Sequence, residues 1–544
     1  MEITLIAFVV LMSIAGGSLS IENKISVQND WKDKDEQLDK IMHSEKIVKT
    51  DEKSLMESSS EEKETSYWIN DAEKTLKKKL ENKINTNKAK NIIFYLGDGM
   101  SIPTLMAART YQGQLEGKSG EEGQLFWEQF PYSGLSKTWC LDKQVADSAC
   151  TSTAYMCGVK SKYATLGING HVKRGVCSTQ LNKTNHVDSI LKWAQDHGKS
   201  AGIVTTTRVT HASPAGGYAH SANRDWESDN DMLKKSKNRK TKCKDIATQL
   251  ITQDPGNKFS VIMGGGRRGF IPKELIDEEG KRGHRQDNIN LIDEWKKDKA
   301  NRGLNYLYGW NKTMIDEINQ HPEKYDSVLG LFESSHMKYH LEASPDTEPT
   351  LAEMTEAAIK ILSKNKEGFV LFVEGGRIDH AHHSTYATIA LDETVELAKA
   401  VKAGYEATSQ DDTLIIVTAD HAHTMSIAGY PKRGNKIQGM NSALDDDGLP
   451  YMTLSYANGP GYKSPDNSGD RYDISHDDID DARYEFPSMV PLSSETHGGD
   501  DVAIFSTGPW SHLFTGTIEQ SSIPHLLAYA GCIAPKSHCD DVKF

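Results

Sequence analysis

Three apolar runs in this sequence end in acids. NIIFYLGDG delivers Asp98, GFVLFVEGG delivers Glu374 with Asp379 close behind, and TLIIVTADH delivers Asp420 and His421. In open α/β sheets ligands gather beyond the carboxyl ends of the strands, so these acids stand where a site would form. In Asp379-His380-Ala381-His382-His383, Asp379 and His383 are four apart and would share one helical face, a spacing that suits a single metal ion. His497 stands apart, in Glu495-Thr496-His497-Gly498-Gly499. Mixed carboxylate and imidazole donors suit zinc, whereas oxygen-only sets suit magnesium or calcium. Each residue alone has a plainer reading, since a strand-end Asp commonly caps the next helix and a His-rich pentapeptide is commonly a polar loop. Taken together they point to a metal site.

Asp147-Ser148-Ala149 precedes a helical pattern from Thr151 to Val159, which puts Ser148 at a helix N-terminus. Backbone N–H groups there accept an anion, so Ser148 reads either as a nucleophile toward one or as a plain N-cap. Arg224, in His220-Ser-Ala-Asn-Arg224, is either a surface arginine or a planar fork for the oxygens of a phosphate.

The elements that must position these residues alternate. Apolar runs at Asn91, Ser200, Phe259, Gly368, Thr413 and Val502 are interleaved with helical patterns. Such interleaving predicts an α/β fold: a large, mostly parallel central sheet flanked by helices on both faces. The Gly-, Pro-, Asp- and Tyr-rich stretch 429–495 breaks the alternation and reads as an inserted smaller subdomain near the C-terminus. Tyr67-Trp68, Ala72, Leu76 and Leu80 predict a helix with Lys77 to Lys79 near its end. Residues 21–65 are too polar to offset the entropy of ordering and read as a flexible arm. Residues 1–20 have the apolar core and small-residue cleavage region of a signal peptide, although Glu2 replaces the usual basic residue. The expected organisation is therefore signal 1–20, arm 21–65 and one catalytic domain 66–544 that contains the insert.

The formal net charge is −14 over 544 residues, which argues against nucleic-acid binding, and the basic stretch 234–244 reads as a solvated loop. No stretch after the signal is long and apolar enough to cross a bilayer. The Cys539-Asp-Asp-Val-Lys-Phe544 tail lacks the pattern for a lipid anchor, so a secreted, soluble protein is expected, with a membrane-associated form as the alternative. Asn182 and Asn311 begin Asn-Lys-Thr sequons for glycosylation. Seven cysteines make an odd count in an oxidising compartment, and spacing alone does not give their connectivity.

Longer strings now narrow the reading: YLGDGM at Tyr95, VADSACTSTAYMCGVK at Val145, VTTTRVTHASPAGGYAH with Asn-Arg from Val204 to Arg224, FVEGGRIDHAHH at Phe372, VTADHAHT at Val417 and ETHGGDDVAIF at Glu495. In this order they resemble the animal-type alkaline phosphatases, from about Tyr67 to Cys539. The resemblance implies a phosphate-monoester hydrolase working through a phosphoserine at Ser148, with Arg224 as the phosphate clamp. It implies one zinc on Asp379, His383 and His497, and a second on Asp98, Asp420 and His421 beside Ser148. It implies a magnesium ion on Asp98, Ser213 and Glu374, with His211 and His380 in the surrounding shell. It further implies a calcium ion on Phe332, Glu333 and Glu348, where the fourth ligand falls in 276–280 and Glu279 is chosen narrowly.

Disulfides Cys177–Cys243 and Cys532–Cys539 are also implied, with Cys157 free; Cys140 and Cys150 then remain, and the resemblance leaves open whether they form a third bridge. A homodimer is implied, with the crown-like 429–495 insert at its interface. The chain departs from the family's usual pattern at Ser101, which replaces a glycine, and at Cys150, which replaces a small residue. A phosphodiesterase or sulfatase of the same superfamily would carry Thr or a modified Cys in place of Ser148. A binding protein that keeps the fold but not the catalysis is the reading from a different class.

Overall fold

A computed structural model describes residues 60–235 and 242–534. The expected signal segment, all but the last residues of the arm, the middle of the basic stretch at 234–244 and Cys539 lie outside these residues. The described residues divide into two units, Ser442–Leu449 and the remainder. Within Ser442–Leu449 the Asp445 N–H donates to the Leu449 carbonyl at 3.1 Å, closing a turn. Everything described below belongs to the second unit.

Its centre is a ten-stranded sheet. In chain order the strands are β1 Asn91–Gly97, β2 Tyr132–Lys137, β3 Ser200–Arg208, β4 Val261–Gly265, β5 Tyr306–Gly309, β6 Ser327–Leu331, β7 Phe369–Gly375, β8 Thr413–Ala419, β9 Val502–Thr507 and β10 Gly516–Glu519. They are ordered β10-β2-β9-β8-β1-β7-β3-β4-β6-β5 across the sheet, and only β9 runs against its neighbours. All six apolar runs read from the sequence are strands. Four strands were not legible as such. β2, β5 and β10 are short and half-exposed, so they lack a continuous apolar run; β6 is wholly buried but only five residues long.

The alternation of side chains along the central strands separates two cores. Ile93 and Tyr95 of β1, Leu371 and Val373 of β7, and Ile415 and Val417 of β8 pack on one face. There they meet α2 (Ile102–Leu115), α4 (Leu351–Leu362) and α6 (Ala387–Glu406). Ile92, Phe94, Val370, Phe372, Leu414 and Ile416 pack on the other, against α3 (Ser148–Cys157) and α7 (Ile523–Gly531). Helices thus cover both faces, which is why these strands read as unbroken apolar runs.

A smaller three-stranded sheet joins Met425–Ile427, Leu454–Gly459 and Ser488–Pro491. Met452, Leu454, Tyr456, Ile474 and Phe486 of this region lie in the same core as α2 and α6. The helix expected at Tyr67 is α1, Thr65–Glu81. It buries none of its residues, and Trp68, Leu76 and Leu80 stay exposed. Ser101, the departure noted above, caps α2 by accepting a hydrogen bond from the Thr104 N–H at 3.3 Å.

Candidate metal centre

Register delivers the acids to one edge of the sheet. Gly97 at the end of β1 lies between Gly375 of β7 and Ala419 of β8, so Asp98 and Asp420 emerge side by side as the strands end. Glu374 is paired with Thr205 of β3. After β7 the chain turns directly into α5, Arg377–His383, whose single face carries Asp379 and His383. Gly99 has a φ of +69°, and a β-carbon there would fall on the His423 ring, so only glycine lets the chain pass this close.

Three groups of candidate ligands result, each with ligand atoms within 4.8 Å of one another. The first is Asp379, His383, His423 and His497; the second Asp98, Asp420 and His421; the third Asp98, His211 and Glu374. Asp98 belongs to two of them, as a carboxylate with two oxygens can. Ser213 Oγ donates to Asp98 Oδ2 at 3.2 Å, and Thr205 and Thr207 hydroxyls donate to Glu374 Oε2. Asp98 Oδ1 and Glu374 Oε1 are buried with no hydrogen-bond partner in the protein, and His421 faces the second group through Nε2, 3.0 Å from Asp420 Oδ2. Buried polar atoms are rarely left so, and a cation is the partner that both carboxylate oxygens would accept. The donor set therefore fits transition-metal and magnesium ions.

The electrostatics agree. Burial, then the neighbouring Asp420, Asp379 and Glu374, push the Asp98 carboxyl well above its ordinary range, and burial lifts Glu374 to about 7. Burial holds His211 well below its usual value, with Arg224 adding to the effect, and lowers His380 to about 3 and His497 to about 4. Burial opposes the charge on Asp379, but His383 and hydrogen bonds from His423 and His497 outweigh it and hold the carboxyl well below its range. Crowded carboxylates, with His211, His380 and His497 held neutral beside them, are a charge distribution that cations complete.

Ser148 is the first residue of α3, and the Asp147 side chain caps the helix by accepting from the Cys150 N–H at 3.3 Å. Ser148 Oγ lies 3.1 Å from His421 Nε2. Asp147 Oδ2 accepts from Arg224 Nη1 at 3.0 Å, and Arg224 Nη2 donates to His211 Nε2 at 3.1 Å. The Arg224 side chain remains 20 % exposed, so its fork is open to an anion from solvent.

Two functional residues escaped the sequence reading. His423 Nε2 lies 2.8 Å from Asp379 Oδ1, and its Nδ1 lies 2.5 Å from Glu495 Oε2. Its signal was the Ala-Asp-His-Ala-His spacing, which places His421 and His423 two apart. Asp147, the anchor of Arg224, was hidden because its partner is 77 residues away. Within the pentapeptide the three histidines part company. His383 joins the first group, while His382 is a satisfied core residue between Thr104 Oγ1 at 3.0 Å and Tyr456 Oη at 2.8 Å. The His380 ring packs 5.3 Å from that of His211 and 4.2 Å from that of His336, a residue the sequence reading did not single out.

The residues expected around calcium have other partners. Glu333 and Glu348 converge on the Lys338 ammonium, at 3.0 and 3.5 Å, and Glu279 pairs with the buried Arg267 guanidinium. Phe332 is buried, and its N–H donates to the Gly264 carbonyl at 2.8 Å. Cys140–Cys150 and Cys177–Cys243 are disulfides, and Cys157 is a buried free thiol. Asn182 is exposed and Asn311 half-buried. Among the described residues, no helix is long and apolar enough to cross a membrane.

A family model described as "Alkaline phosphatase" matches residues 89–533. The "Membrane-bound alkaline phosphatase" of Bombyx mori is 48% identical over 501 residues, 91% of this chain and 90% of that one. The "Alkaline phosphatase, tissue-nonspecific isozyme" of Homo sapiens is 47% identical over 486 residues, 88% of this chain and 91% of that one. Among solved structures, the alkaline phosphatase of Thermus thermophilus aligns with a TM-score of 0.58 at 21% identity, covering 83% of this chain and 93% of that one. The last likeness is one of fold.

Proposed function

The chain belongs to the alkaline phosphatase family and is a hydrolase, and from that premise we propose that it cleaves phosphate monoesters through a phosphoserine at Ser148, with two zinc ions and one magnesium ion bound. The observation that carries the reading is the convergence on Ser148: a hydroxyl at a helix N-terminus, 3.1 Å from His421 Nε2, with Arg224 anchored on the adjacent Asp147.

Asp379, His383 and His497 would hold one zinc, with His423 bonded to Asp379 behind them. Asp98, Asp420 and His421 would hold the other, and Asp98, Ser213 and Glu374 the magnesium. When bound, these ions supply Lewis-acid stabilisation of charge on the phosphate oxygens and lower the pKa of hydroxyl groups beside them. Arg224 binds the phosphoryl group by two N–H donors and is kept cationic by Asp147, which outweighs the opposing effect of burial. The α3 N-terminus directs backbone N–H groups at the same anion. Ser148 Oγ, in line with the scissile bond, attacks phosphorus; the P–O bond to the leaving group breaks as the new one forms, the serine proton passes to solvent, and the departing alkoxide takes a proton from solvent to leave as the alcohol. Water then attacks the phosphoserine from the side the alcohol vacated and releases inorganic phosphate, regenerating the hydroxyl. Two inversions leave the configuration at phosphorus unchanged. Since the grip is on the phosphoryl group, leaving groups of many kinds are accepted.

Exposed Tyr430, Met489, Val490 and Leu492, all within 429–495, support a homodimer that buries this region. We read the protein as exported; fractionating expressing cells decides between release and the membrane attachment that the Bombyx mori relative's name carries. A fourth, calcium site at Glu333 and Glu348 would require Lys338 to swing out from between them.

The test uses 4-nitrophenyl phosphate and purified protein. Chelation is expected to abolish phosphate release and zinc with magnesium to restore it. Ser148→Ala is expected to bind metal normally yet lose turnover by at least about a thousandfold. Near-normal kinetics in that variant would remove Ser148 from its role, and faster cleavage of the matching diester or sulfate would point to another enzyme of the superfamily.

A further inference from the structure

We propose that the Cys140–Cys150 disulfide is a positioning element of the active site, which holds the nucleophile, the phosphate clamp and a zinc ligand in register through one short segment of chain. The inference rests on the functional reading of Ser148, Arg224 and His497 above.

The bridge closes a loop with a sequence separation of 10. Three consecutive residues inside that loop each touch a different part of the site. The Ala146 carbonyl accepts from His497 Nδ1 at 2.7 Å. Asp147 Oδ2 accepts from Arg224 Nη1 at 3.0 Å. Ser148 Oγ meets His421 Nε2 at 3.1 Å. The first of these contacts selects the tautomer of His497 that leaves Nε2 free to face Asp379, 3.4 Å away.

Besides the bridge, the ends of the loop are held separately, each by its own local contacts. Cys140, Ala146 and Cys150 form a small buried cluster separate from both sheet cores, and within the loop only Ala149, at the start of α3, belongs to the main hydrophobic packing. On the far side of the bridge, the Cys140 and Lys143 backbones pair across a tight turn. The Leu141 N–H donates to the Ser161 carbonyl at 3.0 Å, and Asp142 Oδ1 accepts from the Tyr163 N–H at 2.8 Å. Cys150 lies in the first turn of α3, two residues beyond Ser148, so the disulfide ties the helix end that carries the nucleophile to the rim of the site. Closing so short a loop removes most of its alternative conformations. Placement of catalytic groups tolerates errors of only a fraction of an ångström, so this restriction acts on rate as well as on stability.

Cys140, Asp147 and Cys150 also bring ligand atoms within 4.8 Å of one another. With the sulfurs bonded to each other and Asp147 engaged by Arg224, this trio is a brace and holds no metal.

The experiment compares the wild-type holoenzyme with C140A/C150A and with C177A/C243A, which removes the remote disulfide. Steady-state kinetics on 4-nitrophenyl phosphate, inhibition by inorganic phosphate, zinc content and melting temperature are measured for each. For C140A/C150A we expect KM and the inhibition constant of phosphate to rise together, kcat to fall, and kcat/KM to drop on the order of tenfold to a hundredfold at full zinc content. For C177A/C243A we expect a lower melting temperature with kcat/KM within about twofold of wild type. If C140A/C150A does not fold, C140S/C150S, closer in shape to the cysteines, carries the same readout. An unchanged kcat/KM beside a lowered melting temperature would make the bridge merely structural and overturn the proposal. So would a loss of zinc whose replacement restores the kinetics in full, since the bridge would then act on metal affinity alone and not on the placement of the nucleophile and the clamp. A wild type without metal-dependent phosphate release would overturn the functional reading itself; an active wild type beside an unaffected double variant overturns the inference alone.

Discussion

Asp147 carries more of the site than its neighbours suggest. Its two carboxylate oxygens divide the work: Oδ1 accepts from the Cys150 and Ala164 N–H groups, at 3.3 and 2.9 Å, and Oδ2 holds Arg224. Asparagine keeps the capping oxygen but loses the negative charge that orients the guanidinium. Asp147→Asn is therefore expected to raise KM and the phosphate inhibition constant about tenfold, with a smaller effect on kcat and little change in melting temperature. Equal losses in kcat and kcat/KM would mean that the charge acts in the transition state only.

The elements place the acids because their own packing leaves no slack. Tyr95 of β1 is buried, and its hydroxyl donates to the Ala400 carbonyl of α6 at 3.1 Å. A β-carbon on Gly404, in the last turn of α6, would fall on that same hydroxyl oxygen, so glycine is required there by the close approach of strand and helix. Gly404→Ala should gain helix propensity yet destabilise the protein by about 1 to 3 kcal/mol, because overpacking outweighs propensity at a buried contact. Since Asp98 directly follows β1, metal affinity should weaken in the same variant. Calorimetry and zinc titration check both, and a stabilised variant would refute the packing account.

For the whole molecule, alkaline pH favours the fold through two lysines far from the metals. Burial lowers both Lys199 and Lys299 from the ordinary 10.5 to about 8. Each ammonium donates to main-chain carbonyls, Lys199 to Lys90 and Glu367 at 2.7 and 2.6 Å, Lys299 to Asn257 at 2.7 Å. Between these pH values the unfolded chain binds more protons than the native one, so stability from these groups rises with pH and is lost as pH falls through about 8. The melting-temperature advantage of wild type over Lys299→Met should widen from pH 8 to 10 at fixed zinc concentration. A constant difference would show that Lys299 keeps the same charge in both states.

Much was legible beforehand because it is written locally. Continuous apolar runs mark strands buried on both faces, an acid after three of the six runs marks a strand end, and the four-residue step from Asp379 to His383 follows from helical geometry alone. The alkaline phosphatase strings carried the family. What only the tertiary structure decided are contacts between residues far apart in the chain: Asp147 under Arg224, His423 between Asp379 and Glu495, and Cys140 joined to Cys150 around the nucleophile. The same is true of His382, which shares a motif with His383 yet turns into the core, because neighbours on a helix point about 100° apart and only packing says which direction is the site. Sequence sets which side chains are offered at each strand end; the register of β8, β1 and β7 sets which of them can meet.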